Sequence, residues 1–193
     1  MVMTIHSLLF AVLLVTGAPQ GTVPTATALP EEFSAILTNI SNVGGTGITP
    51  LKIRINRWTS DEDDERLMGI LREKGQDAFL SALLDHKAVG SIATPTSLKY
   101  DFFYARQSIT PEGTRRIMLI SDRPMSVSER VSAALTREYP FTVIELKIPK
   151  EGKGEGTLAQ LVQLRLLGNI LGIENLATGP MKLSDVTPVN AKK

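Results

Sequence analysis

Residues 51–57, Leu-Lys-Ile-Arg-Ile-Asn-Arg, alternate apolar and polar side chains, the period of a strand with one face in a core. Leu51, Ile53 and Ile55 are expected to face inward, and Lys52, Arg54, Asn56 and Trp58 to share the other face. Before this stretch, Phe33 to Ile40 reads as a possible strand that runs into the loop Ser-Asn-Val-Gly-Gly-Thr-Gly-Ile-Thr-Pro. After it the period changes. Ser60 is a good N-cap, and the acidic run 61–65 suits the positive end of a helix dipole. Leu67, Ile70 and Leu71 then fall at helical spacing. Gly75 punctuates, and a second short helix carries Ala78, Phe79, Ala82 and Leu83 on one side.

Further along, strand signals dominate. Leu98 to Gln107 alternates, with Leu98, Tyr100, Phe102, Tyr104 and Arg106 expected on one face. Arg116 to Ile120 is apolar on both faces, as a central strand would be. Ser121-Asp122-Arg123-Pro124 is a turn into a short helix at 128–135, and Phe141 to Ile148 is the next strand. The Gly-rich stretch 149–156 turns the chain into a hairpin with 158–166, and 169–175 and 181–186 read as two more strands. These signals predict an α+β domain, a largely antiparallel sheet with a helical pair inserted near the start of the domain.

The first thirty residues contain no Lys, Arg, Asp or Glu. The apolar block from Ile5 to Ala18 is too short for the roughly 20 residues of a membrane span and suits the core of a signal peptide. Ala26-Thr27-Ala28 offers a cleavage site. The expected organisation is a signal peptide at 1–28, an N-terminal segment at 29–49, one domain at 50–188 and a polar tail at 189–193. Export to a periplasm or the exterior follows from that division, with no transmembrane span once the leader is removed.

Several chemistries are disfavoured by composition. Lys plus Arg is 21 and Asp plus Glu is 20, so a net charge of +1 provides no field for nucleic acid. There is no cysteine, hence no disulfide, thiolate nucleophile or Cys-ligated metal. His86 is the single imidazole after residue 6, in a Leu-Leu-Asp-His-Lys context that reads as a helix C-terminus and not as a catalytic base. Asp61, Asp63 and Glu65 alternate as calcium ligands do, but on a helix they diverge, and the glycine of a calcium loop is missing. Gly152, Gly154 and Gly156, like Gly44-Gly45-Thr46-Gly47, lack the Lys-Ser/Thr and following helix of a phosphate-binding loop. No metal site or cofactor is expected.

What remains is a set of charges embedded in apolar strands: Asp101, Arg106, Arg115, Arg116, Asp122 and Arg123. Buried charges need partners, so ion pairs across the sheet are expected. Asp122 and Arg123, before Pro124, are expected to form a structural clamp, with Arg123 reaching a carboxylate on a neighbouring strand. Trp58, Tyr104 and Arg106, with Asp122 and Arg123, are the candidate ligand-binding residues, because aromatics beside Arg suit a planar or anionic ligand. Carboxylate pairs such as Asp101 with Glu112 or Glu145 would instead serve a hydrolase.

The order Tyr100-Asp101…Arg106, Arg115-Arg116-Ile117, Ser121-Asp122-Arg123-Pro124, Tyr139-Pro140-Phe141-Thr142, Gly152-Lys153-Gly154-Glu155-Gly156 and Ile173-Glu174-Asn175 resembles a group of uncharacterised exported bacterial proteins. The likeness spans roughly residues 50–188. It implies export and a single compact domain, and it carries no activity. The expected function is an exported, non-enzymatic envelope domain that binds a partner or small ligand. The alternative is a carboxylate-based hydrolase of the same compartments.

Overall fold

The computed structural model describes residues 8–12, 29–39, 47–95, 99–123, 133–168, 170–175 and 179–189. Much of the expected signal peptide, the glycines at 44 and 45, Leu98, Pro124, the first part of the helix expected at 128–135 and most of the tail lie outside these residues.

Strands β1 (Leu8–Val12), β2 (Glu31–Asn39) and β3 (Gly47–Ile55) come first. Helices α1 (Asp61–Lys74) and α2 (Gln76–Leu84) follow, and β4 (Gly90–Ala93), β5 (Tyr100–Phe102), β6 (Tyr104–Ile109) and β7 (Arg115–Ser121) come next. The short helix α3 (Ala133–Glu138) precedes β8 (Phe141–Ile148), β9 (Gly154–Leu167), β10 (Ile170–Asn175) and β11 (Met181–Pro188).

Hydrogen-bonded neighbours run β5-β4-β3-β2-β11-β9-β8-β7-β6, every pair antiparallel. The two ends of this path, β5 and β6, are consecutive in the chain. Tyr100–Phe102 pairs with β4, and Tyr104–Ile109 pairs with β7. At the junction, the Phe103 N–H donates to the Ile120 carbonyl at 3.0 Å, and the Val89 N–H to that of Phe102 at 2.7 Å. One bent strand thus seams the sheet into a nearly closed barrel. This corrects the expected fold. The molecule is mostly antiparallel sheet rolled into a barrel, and the helical pair is not near the start but follows the opening strands.

The reason is visible at Phe103. A regular strand from 98 to 107 would put Phe102 and Tyr104 on one face, but the bend reverses the alternation. Phe102 enters the barrel interior with Ile53, Ile92, Ile117, Leu146 and Leu183, while Tyr104 joins Met118, Ile120 and Phe141 outside, under the helices. The two cores use alternate residues of the same strands: Ile117 and Leu119 of β7 point in, and Met118 and Ile120 point out. A strand buried on both faces reads as a continuous apolar run, as β7 does.

The helices cover that outer face. Ser60 Oγ accepts the Asp63 N–H at 3.1 Å, the N-cap its sequence predicts. Leu67, Met68 and Leu71 of α1 and Phe79, Ala82 and Leu83 of α2 are buried. The Phe79 ring meets Phe141 edge-on, centroids 5.7 Å apart. Each of these Leu, Met and Phe side chains contributes about 1.5–3 kcal/mol of burial. Among the described residues, no helix is long and apolar enough to cross a membrane.

From Val162, just past Leu161 at φ 52°, β9 takes β10 as its neighbour in place of β11, while Val162 still pairs with Phe141 of β8. On the outer edge of β10 lies β1, antiparallel, with Leu8 opposite Asn175 and Val12 opposite Leu171.

Candidate functional site

The five candidate residues fall in three places. Trp58 was expected outside with Lys52 and Arg54. Because β3 ends at Ile55, the chain instead turns and lays Trp58 over one end of the barrel, against the inner core. There it meets Arg115, whose guanidinium carbon stands 5.4 Å from the Trp58 ring and 6.0 Å from that of Phe33. Arg115 donates to both oxygens of Glu31, at 2.6 and 2.7 Å, and to Gln107 Oε1 at 2.7 Å. Glu31 opens β2 opposite Ile55, so the alternation that sends Phe33 and Ala35 inward also sends Glu31 inward. Its side chain is only 6% exposed. A buried carboxylate demands a cation, and Arg115 supplies a two-pronged one. The result is a closed plug over the barrel end.

Tyr104 and Arg106 are brought together, but on the outer face, beneath the start of α1. Tyr104 donates its hydroxyl to Asp64 Oδ1 at 2.6 Å, and Arg106 donates to Asp61 Oδ1 and the Thr59 carbonyl at 2.7 and 3.1 Å. Burial, then the Asp64 charge, pushes the Tyr104 phenol well above its usual range. Burial works to lower Arg106, yet its bond to Asp61 and the charge of Asp64 outweigh it and hold its pKa raised. The acidic run therefore serves as a docking partner for β6 as well as a helix start. Asp61 and Asp64 are spent on these bonds, and among the described residues no cluster of His, Asp and Glu is arranged to hold a metal ion.

Asp122 and Arg123 follow β7, roughly 20 Å along the strand from Arg115. Arg123 was expected to reach a carboxylate; its guanidinium carbon stands 5.4 Å from the Tyr100 ring, and its carbonyl accepts from Thr142 at 3.0 Å. The Ser121 hydroxyl approaches Asp122 at 3.4 Å, a weak contact.

The carboxylates weighed for hydrolysis are not gathered. Asp101 is exposed on β5, and Glu112 is exposed in the β6–β7 turn. Glu145, on the outer face of β8, is buried and bonded by Arg116 through both Nε, at 2.9 Å, and Nη2. A small cleft beside it is lined by Val143, Thr157, Ala159, Ile173 and Pro180. His86 follows the end of α2, where Arg66 donates to its Nε2 and Asp63 lies 3.9 Å away.

Glu31 as the partner of Arg115, and Asp61 and Asp64 as strand partners, are not among the residues that the sequence singles out for these roles. The available signal for Glu31 was its parity with Phe33 and Ala35. For the two aspartates none existed, since their partners lie 40 and 45 residues along the chain. No family model, curated protein or solved structure matches this chain.

Proposed function

We propose that the chain is an exported, non-enzymatic domain of the cell envelope that binds a partner or small ligand. One observation carries this reading. Two of the strand-embedded arginines are held in Arg–Glu pairs, Arg115 of β7 with Glu31 of β2 across the barrel end and Arg116 with Glu145 between the neighbouring strands β7 and β8. A hydrolase built on carboxylates needs two of them facing one open space, with water or substrate between. Here Glu31 seals a barrel end while Glu145 lies on the outer face of β8, each with its own arginine. Such pairs hold a scaffold rigid and leave its edges and loops to make contacts.

Export rests on the apolar block before Ala26-Thr27-Ala28. Cell fractionation with N-terminal sequencing tests it. Protein in the envelope or medium beginning near Leu29 is the expected result, and chains retaining Met1 in the soluble cytoplasm would refute export.

A further inference from the structure

The strand pairing at β10 couples the leader to the domain. Residues 8–12, Leu-Leu-Phe-Ala-Val, lie within the block read as a signal-peptide core, yet they occupy the outer edge of β10 in an unbroken five-residue antiparallel register. Between them, β9 and β1 cover both edges of β10. Removing residues 1–28 leaves β9 in place and strips the other edge. A row of backbone N–H and C=O groups would then lack partners, in a strand whose Leu171 and Ile173 belong to the outer core. An exported domain that uncovers a strand edge as it matures has a defined place to bind.

We infer that the outer edge of β10, Ile170–Asn175, is a strand-acceptor site. Residues 8–12 occupy it in the full chain, and an extended, uncharged, apolar segment of a partner protein occupies it after the leader is removed. The seated strand defines that chemistry: at least five residues, antiparallel to β10, without charge. Backbone bonds to the edge give affinity, as in other cases of strand addition. The inference rests on the export reading, because leader cleavage is what opens the edge.

Two experiments test it. The chain has no cysteine, so introduced pairs are the only thiols present. In the full chain, Ala11→Cys with Gly172→Cys, directly opposed in the register, should form an intramolecular disulfide. Ala11→Cys with Glu174→Cys, two residues out of register, should not. Equal oxidation of both pairs would refute the seating of β1.

For the second, the full chain is cut once at a protease site placed just before Leu29, leaving the leader fragment associated. A labelled peptide of residues 5–15 should exchange into the nicked protein. The same peptide with Phe10→Pro and Ala11→Pro should bind at least about tenfold more weakly, because one of two successive N–H groups faces β10. Equal binding of both peptides, binding of neither, or pairing of two nicked chains through β10 with the peptide excluded would each overturn the inference. The outcomes separate from those for export. Exported chains beginning near Leu29 whose nicked form ignores the peptide sink the acceptor site alone. Cytoplasmic chains retaining Met1, with proline-sensitive exchange, sink export and with it the partner's access, and leave β10 as the acceptor of residues 8–12 alone.

Discussion

Replacing Glu31 by Ala strikes the plug at the barrel end. The substitution removes both oxygens that Arg115 grips at 2.6 and 2.7 Å and leaves a guanidinium whose side chain is only 16% exposed. Breaking a buried pair from one side costs about 3–5 kcal/mol, since the remaining charge stays uncompensated. Arg115 keeps Gln107 as an acceptor and the Trp58 face as a weak cation site, worth about 0.5–2 kcal/mol. Its slight exposure also admits water. The expected loss is therefore about 2–4 kcal/mol, a large share of the roughly 5–15 kcal/mol typical of a domain. Urea unfolding should show a lower midpoint with an unchanged slope. The double variant Glu31→Leu with Arg115→Met removes both charges and should recover most of the loss. A single variant that costs under about 1 kcal/mol, or a double variant no better than the single, would refute the reading of Arg115 and Glu31 as a mutually dependent pair.

Tyr104→Phe should cost about 1.5–3 kcal/mol by deleting the bond to Asp64, measured by urea unfolding at neutral pH. The raised phenol pKa stabilises the fold fully below the usual value near 10 and loses that contribution as pH rises through the higher folded value, so wild-type and variant stabilities should converge in alkali. Gly156→Ala should destabilise by about 1–3 kcal/mol in thermal melts, because its Cβ would lie 2.4 Å from the Glu145 carbonyl oxygen and 3.0 Å from a Leu146 methyl. His86→Gln should cost at most about 1 kcal/mol by the same assay, the scale of a helix-end interaction. A larger loss would mean that its contacts with Arg66 and Asp63 hold more than the end of α2.

Local periodicity was legible in the sequence, and global closure was not. Leu51, Ile53 and Ile55 alternate over a regular strand, and the Ser60 cap with the Leu67 and Leu71 stripe marks α1, because each of these signals is complete within a few residues. The barrel depends on Phe103, where one residue breaks the alternation and lets a single strand serve two neighbours; the apolar run Phe102-Phe103-Tyr104-Ala105 marks the place but does not say which neighbour each half takes. Of the strand-embedded charges, Arg106, Arg115 and Arg116 do form ion pairs, while their partners were hidden by distance: Arg115 lies 84 residues from Glu31 and Arg116 lies 29 from Glu145. The scattering of Trp58, Tyr104 and Arg106 has the same origin, since which face a residue takes follows from where strands end and bend.

The Arg115–Glu31 plug can seal a barrel end only if β5 and β7 are held together at the seam, and amide hydrogen exchange probes that seam directly. The Phe103 N–H bonds to Ile120 and the Val89 N–H to Phe102, so both amides should exchange as slowly as those of Leu119 and Ile144 in the central strands. Exchange of both amides at the rate of free strand edges would mean an open sheet, with the space between β5 and β7 available as a cleft, and would contradict the account.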